Sequence, residues 1–188
     1  MEKGRLVNTL HLEKAFKISF EINPSSVAVS DKPANIIHFT TGGSCCGWGT
    51  RIPIVSFQPY TTNLSICTAI DNNANRCFNF ESHPLQFNKF TKVEITQQQH
   101  NSTTAYMFNV KIGDNEVLNV QNSNPKSYTN VQIYKASRFY EPAKAQIRRF
   151  IYKNVLINEE KQSKTVINEE KQSKTVTLAG KRLFRSRL

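Results

Sequence analysis

Several things are scarce in this sequence, and each shortage excludes something. Its 188 residues hold one Trp, two Met, seven Gly and seven Pro, a composition that rules out collagen-like and low-complexity classes. No apolar run approaches the ~20 residues that a membrane-spanning helix needs. Cys-x-x-Cys is absent, and with it zinc-ribbon spacing. So is the Gly-x-Ser-x-Gly elbow of Ser hydrolases. His11, His38, His83 and His100 stand without the spacing of metal ligands. Acids are few, 14 against 25 Lys and Arg, for a net charge of +11.

What is there points to a globular body. Twelve Phe and six Tyr supply apolar area that disordered chains lack. Eight of the 25 cations and four of the 14 acids fall in residues 157–188, leaving 17 against 10 before them. No block of five like charges occurs in that body, so the excess reads as a solvated basic surface. An acidic partner is the alternative.

Period-two alternation runs through the chain. Phe16, Ile18, Phe20 and Ile22 face one way, with Lys17, Ser19, Glu21 and Asn23 opposite. Further strands are expected over 35–41, 52–57, 64–70, 76–80, 90–96, 106–112, 116–120, 131–134 and 147–156. Gly113-Asp114-Asn115 makes the clearest hairpin turn. About ten short strands without an amphipathic helix predict an all-β fold: a two-sheet antiparallel sandwich of the jelly-roll type. The expected domain covers residues 10–156.

Residues 157–188 form a separate tail. Ile157–Val166 recurs residue for residue as Ile167–Val176. Its Glu–Lys pairs at i,i+4 add too little to nucleate a helix. A disordered or weakly helical extension is the expectation.

The four cysteines are Cys45, Cys46, Cys67 and Cys77. With Asn72 at the centre of an Asn-rich turn, Cys67 and Cys77 stand opposite each other, close enough to bond. The competing pairing joins the loop of Cys45 and Cys46 to one of them. Adjacent side chains diverge, so Cys45 and Cys46 are expected to pair elsewhere or pack. Sequons mark Asn63 and Asn101 as glycosylation candidates. Even cysteine count and sequons favour an extracellular, oxidising compartment. Met1–Leu12 lacks a continuous apolar h-region, so the alternative is a cytoplasmic protein with four thiols.

Three stretches carry a resemblance: Phe16–Pro24 with its polar-Pro corner, Pro84–Ile95, where a loop drops into a strand, and the hairpin Tyr106–Val120 with Gly113 at its turn. With Ile147–Ile151 as a closing strand, they resemble the concanavalin A-like, laminin-G-like sandwich family. The resemblance implies a non-catalytic module that binds carbohydrate, glycoprotein or another extracellular protein. Some members hydrolyse glucans, which makes a divergent hydrolase one alternative. An intracellular basic domain on nucleic acid is another, and nothing in the body favours it.

Hydrolysis requires two carboxylates across one cleft, and no single strand carries two acids on one face. Glu94 is the lone in-strand candidate, read as a solvent-facing charge. Ligand-binding candidates therefore come from loops. Trp48 and Arg51 sit in the Gly-rich segment 41–51, where an indole could stack on a sugar and a guanidinium clamp an anion. Asn72 and Asn73 lie on the Asn-rich tip. Asp71 beside them offers an oxygen of the kind Ca²⁺ accepts, and calcium sites occur in the family. One carboxylate is thin for about 6–8 oxygens, so a plain turn and no cofactor are expected.

Overall fold

The computed structural model describes residues 1–27, 30–100 and 105–155. They lie in the first of the two units into which the chain divides, Met1–Val155. The duplicated tail 157–188 and the sequon at Asn101 fall outside the described residues. No helix forms among those described, so none there is long and apolar enough to cross a membrane.

Among the described residues, eleven strands build two antiparallel sheets. In chain order they are β1 (Arg5–Leu12), β2 (Phe16–Pro24), β3 (Ala34–Thr40), β4 (Ile54–Phe57), β5 (Leu64–Ile70), β6 (Asn73–Asn79), β7 (Thr91–Gln99), β8 (Tyr106–Ile112), β9 (Asn115–Asn122), β10 (Tyr128–Lys135) and β11 (Ala145–Asn154). One sheet runs β1-β10-β3-β4-β5-β6 and the other β11-β2-β7-β8-β9.

The alternating apolar residues face inward as their period requires. Phe20, Ile22, Val93, Ile95, Phe108 and Val110 are fully buried, joined by Phe16, Ile18, Ile112 and Ile133. They meet Ile36, Phe39, Phe57, Leu64 and Ile66 of the six-stranded sheet in one core. Because their neighbours in sequence point the other way, the outer face of the five-stranded sheet is polar.

Two features depart from the sequence reading. The sandwich begins at Arg5, with β1 as an extra edge strand. Its residues are mostly exposed, and backbone pairing with β10 holds it. Segment 136–144 forms a strap that the alternation did not register. Asn35 ties it down: its backbone N–H donates to the Glu141 carbonyl (2.7 Å), its Oδ1 accepts from the Ser137 N–H (2.6 Å), and its side-chain amide donates to the Val55 carbonyl (3.0 Å). A fully buried asparagine that bonds through both backbone and side chain stabilises a chain crossing that apolar residues could not hold.

Candidate functional site

The Gly-rich loop is bound to its own protein. Thr41 N–H donates to the Gly49 carbonyl (2.9 Å), and the Thr50 hydroxyl donates to the Gly47 carbonyl (2.7 Å). Gly49 has φ +80°, and a Cβ there would meet Thr41 Oγ1 at 2.5 Å, so glycine is required. Arg51 donates through Nη1 to Asn75 Oδ1 (2.9 Å), through Nη2 to the Tyr140 hydroxyl (2.6 Å) and through Nε to the Ser44 carbonyl (3.3 Å). Three of its donors thus clamp the Gly-rich loop to β6 and to the 136–144 strap. Trp48 is 40% exposed, and Lys126 Nζ sits over its ring at 3.5 Å, a cation–π contact that covers one ring face.

Beneath this loop lies a buried histidine. His38 Nε2 is 2.6 Å from the Thr50 carbonyl, which can only accept, so Nε2 carries the hydrogen and Nδ1 accepts from the Ser137 hydroxyl (2.9 Å). Burial pushes His38 down to about 4; the Thr50 bond opposes this, and the charges of Arg51 and Arg138 add to it.

The Asn-rich tip is likewise engaged. Asp71 Oδ1 accepts from the Ser123 N–H (2.7 Å) and hydroxyl (2.8 Å), and Oδ2 pairs with Arg76 (3.4 Å). The Ser123 bonds, backbone first, hold its carboxyl below the usual range. Asn72 Oδ1 accepts from the Asn124 amide (3.1 Å), and Asn73 Oδ1 from the Asn75 N–H (2.8 Å). The bonds to Ser123 and Asn124 tie the β5–β6 hairpin to the end of β9, in the other sheet. No group of three His, Cys, Asp or Glu able to hold a metal ion occurs among the described residues.

Cys67 lies opposite Cys77 in the β5–β6 register, bonded, with Cα atoms 3.9 Å apart. Nearer the turn, Ala74 and Asn75 of β6 stand opposite Ala69 alone, a bulge that shifts the register by one. Cys45 and Cys46 face each other within the Gly-rich loop as a second cysteine pair, so neither reaches Cys67 or Cys77 as the competing pairing would require. Asn63 sits just before β5, half-buried, with Oδ1 enclosed and unpartnered.

A groove that sequence reasoning missed lies on the outer face of the five-stranded sheet. It measures 360 Å³ and is lined by Lys17 of β2, Glu94, Thr96 and Gln98 of β7, His100, Met107, Asn109 and Lys111 of β8, and Glu116 and Asn119 of β9. Register brings them together: Glu94 faces Lys111, which faces Glu116, while Lys17 faces Thr96, which faces Asn109. The Asn109 amide donates to Glu116 Oε2, and the Asn119 amide to Oε1 at 3.1 Å. Glu94 bridges Lys17 (2.7 Å) and Lys92 (3.3 Å). Partial burial pushes its carboxyl up, but the bonds and charges of both lysines outweigh this and hold it below the ordinary value. Glu94 is therefore no idle surface charge. Its alternation was visible in the sequence; its partners on other strands were not.

No family model matches this sequence, and no curated protein matches it. Solved structures do resemble the fold. Sheep galectin-11 in complex with glycerol is 10% identical, with 81% of this chain and 99% of that one covered and a TM-score of 0.46. The carbohydrate binding module CBM66 of Bacillus subtilis is also 10% identical, over 81% and 92%, with a TM-score of 0.47. A polysaccharide lyase of family 18 is 7% identical, over 78% and 75%, with a TM-score of 0.44.

Proposed function

We propose that this protein is a non-catalytic recognition module that holds an uncharged saccharide in the groove on the outer face of the five-stranded sheet. The observation that carries this is the Asn109–Glu116–Asn119 cluster. Each carboxylate oxygen takes one amide N–H and keeps acceptor capacity, so the group is fixed before any ligand arrives. Neighbouring hydroxyls of a sugar ring need closely spaced donors and acceptors of this kind. Met107 adds an apolar contact, as ligand sites combine apolar area with a few placed polar groups. Lys17 and Lys111 balance Glu94 and Glu116 along the lining, which favours a neutral ring despite the basic chain.

Hydrolysis is the second reading, because Glu94 and Glu116 flank Lys111 on one face. With β8 between them, their strands run ~9.5 Å apart, near the upper end of the spacing used by inverting hydrolases. A general acid, however, needs a raised pKa. Glu94 is pushed the other way, which supports binding without catalysis. Calcium independence belongs to the same proposal, since both Asp71 oxygens already have partners, and so does secretion, since the Cys67–Cys77 bond suits an oxidising compartment.

A glycan array of neutral and acidic saccharides, probed with the full-length protein with and without EDTA, tests the reading. Neutral glycans should be retained in both conditions, and Glu116→Ala should weaken binding at least tenfold without unfolding the protein. Unchanged binding by Glu116→Ala, or its loss in Trp48→Ala instead, would move the site to the loop. Release of reducing ends would replace recognition by hydrolysis.

A further inference from the structure

A second groove, of 580 Å³, lies where the start of β1 and the end of β10 approach β11. Arg5 stands directly opposite Lys135 in the β1–β10 register. Facing side chains in such a pair have Cβ atoms ~4.5–5.5 Å apart, and like charges there repel. Neither side chain makes an ion pair, hydrogen bond or ring contact among the described residues. The other facing cations, Lys17 and Lys153, differ: Lys17 has Glu94 as its counterion at 2.7 Å.

Arg148 also lines the groove. Its guanidinium lies 3.8 Å over the Phe90 ring, and Nε donates to Glu21 at 2.6 Å, leaving the outer nitrogens free of protein partners among the described residues. Among the described residues of the lining, Glu2 is the one acid against three cationic side chains, and Phe90, Ala145 and Ile147 supply apolar wall.

We propose that this groove binds the tetrahedral oxyanion of a sulfate or phosphate monoester, with Arg5 and Lys135 as its direct contacts and Arg148 beside them. An oxyanion between the two cations replaces repulsion with charge-assisted hydrogen bonds. The apolar wall receives the carbon body that carries the ester, so an ester binds more tightly than the inorganic ion. This site is independent of the sheet-face groove.

The test measures thermal midpoints of the full-length protein with glucose 6-sulfate, glucose 6-phosphate, inorganic sulfate and inorganic phosphate. Glucose and sodium chloride at matched ionic strength are the controls. At least one ester should raise the midpoint several degrees above chloride, and the stronger ester identifies the source of the oxyanion. Arg5→Gln and Lys135→Gln should each weaken that ester at least tenfold. Without ligand, each should melt at or above the parent, because the repulsion is gone. Lys135→Arg should retain binding. No shift by any oxyanion beyond chloride, or a shift that survives the Arg5→Gln/Lys135→Gln double variant, would overturn the proposal.

Discussion

Acid should loosen the strap that His38 holds. In the folded protein the ring is fully buried between Thr50 and Ser137, with Phe139 and Tyr140 edge-on to it. Burial depresses it from 6.5 to about 4. Above pH 6.5 both folded and unfolded chains keep the ring neutral, and it makes no difference to stability. As pH falls from 6.5 toward 4, only the unfolded chain takes up the proton, so stability is lost through that window. Below 4 the folded ring protonates too, and the loss levels off. At about 1.4 kcal/mol per unit, the whole span costs about 3 kcal/mol, of which about 2 kcal/mol is gone by pH 5. For a chain of this size that is a fall of about 4–8 °C in the thermal midpoint. Glu21, Asp71 and Glu94 are held below ordinary carboxylate values, so their contributions fade lower, and the window from 6.5 to 5 belongs to His38. His38→Gln keeps a donor for the Thr50 carbonyl and does not titrate. Urea titrations of both proteins from pH 7.5 to 4.5 supply the measurement. The variant should start lower and lose less. Parallel profiles between pH 6.5 and 5 would refute the reasoning.

Three further outcomes are expected. Phe108→Ala, at a fully buried site, should cost about 3–5 kcal/mol in urea unfolding, and a change within error would place the ring outside the core. Replacing Cys67 and Cys77 together by Ser should remove about 2–3 kcal/mol, the chain-entropy value for a loop that short; an unchanged urea midpoint would show the hairpin forms equally well uncrosslinked. Truncation after Leu156 should leave the thermal midpoint within a degree or two, as the polar ten-residue duplication implies, whereas a large drop would show that residues 157–188 pack on the body.

Alternation in the sequence determined which face of each strand is apolar. A side chain's direction in a strand depends only on its position in a period of two, so the inward set of β2, β7 and β8 could be read directly. That Cys67 and Cys77 flank one turn was legible, but their register was set in the structure: the turn pairs Ile70 with Asn73, and the bulge in β6 brings Cys77 instead of Arg76 opposite Cys67. β1 escaped because Leu6 and Val7 are exposed at an edge, where backbone pairing with a distant strand replaces burial. Arg51 was legible as a loop cation but not as a clamp, since Asn75 and Tyr140 are 24 and 89 residues away. The groove required still more. Lys17, Glu94, Asn109 and Glu116 each occupy the polar side of a strand, as the sequence says. Their neighbours depend on the order β2-β7-β8-β9 and on the register of three ladders. Local sterics fix a side chain's direction, whereas cross-strand adjacency arises only when the whole sheet closes over a shared core.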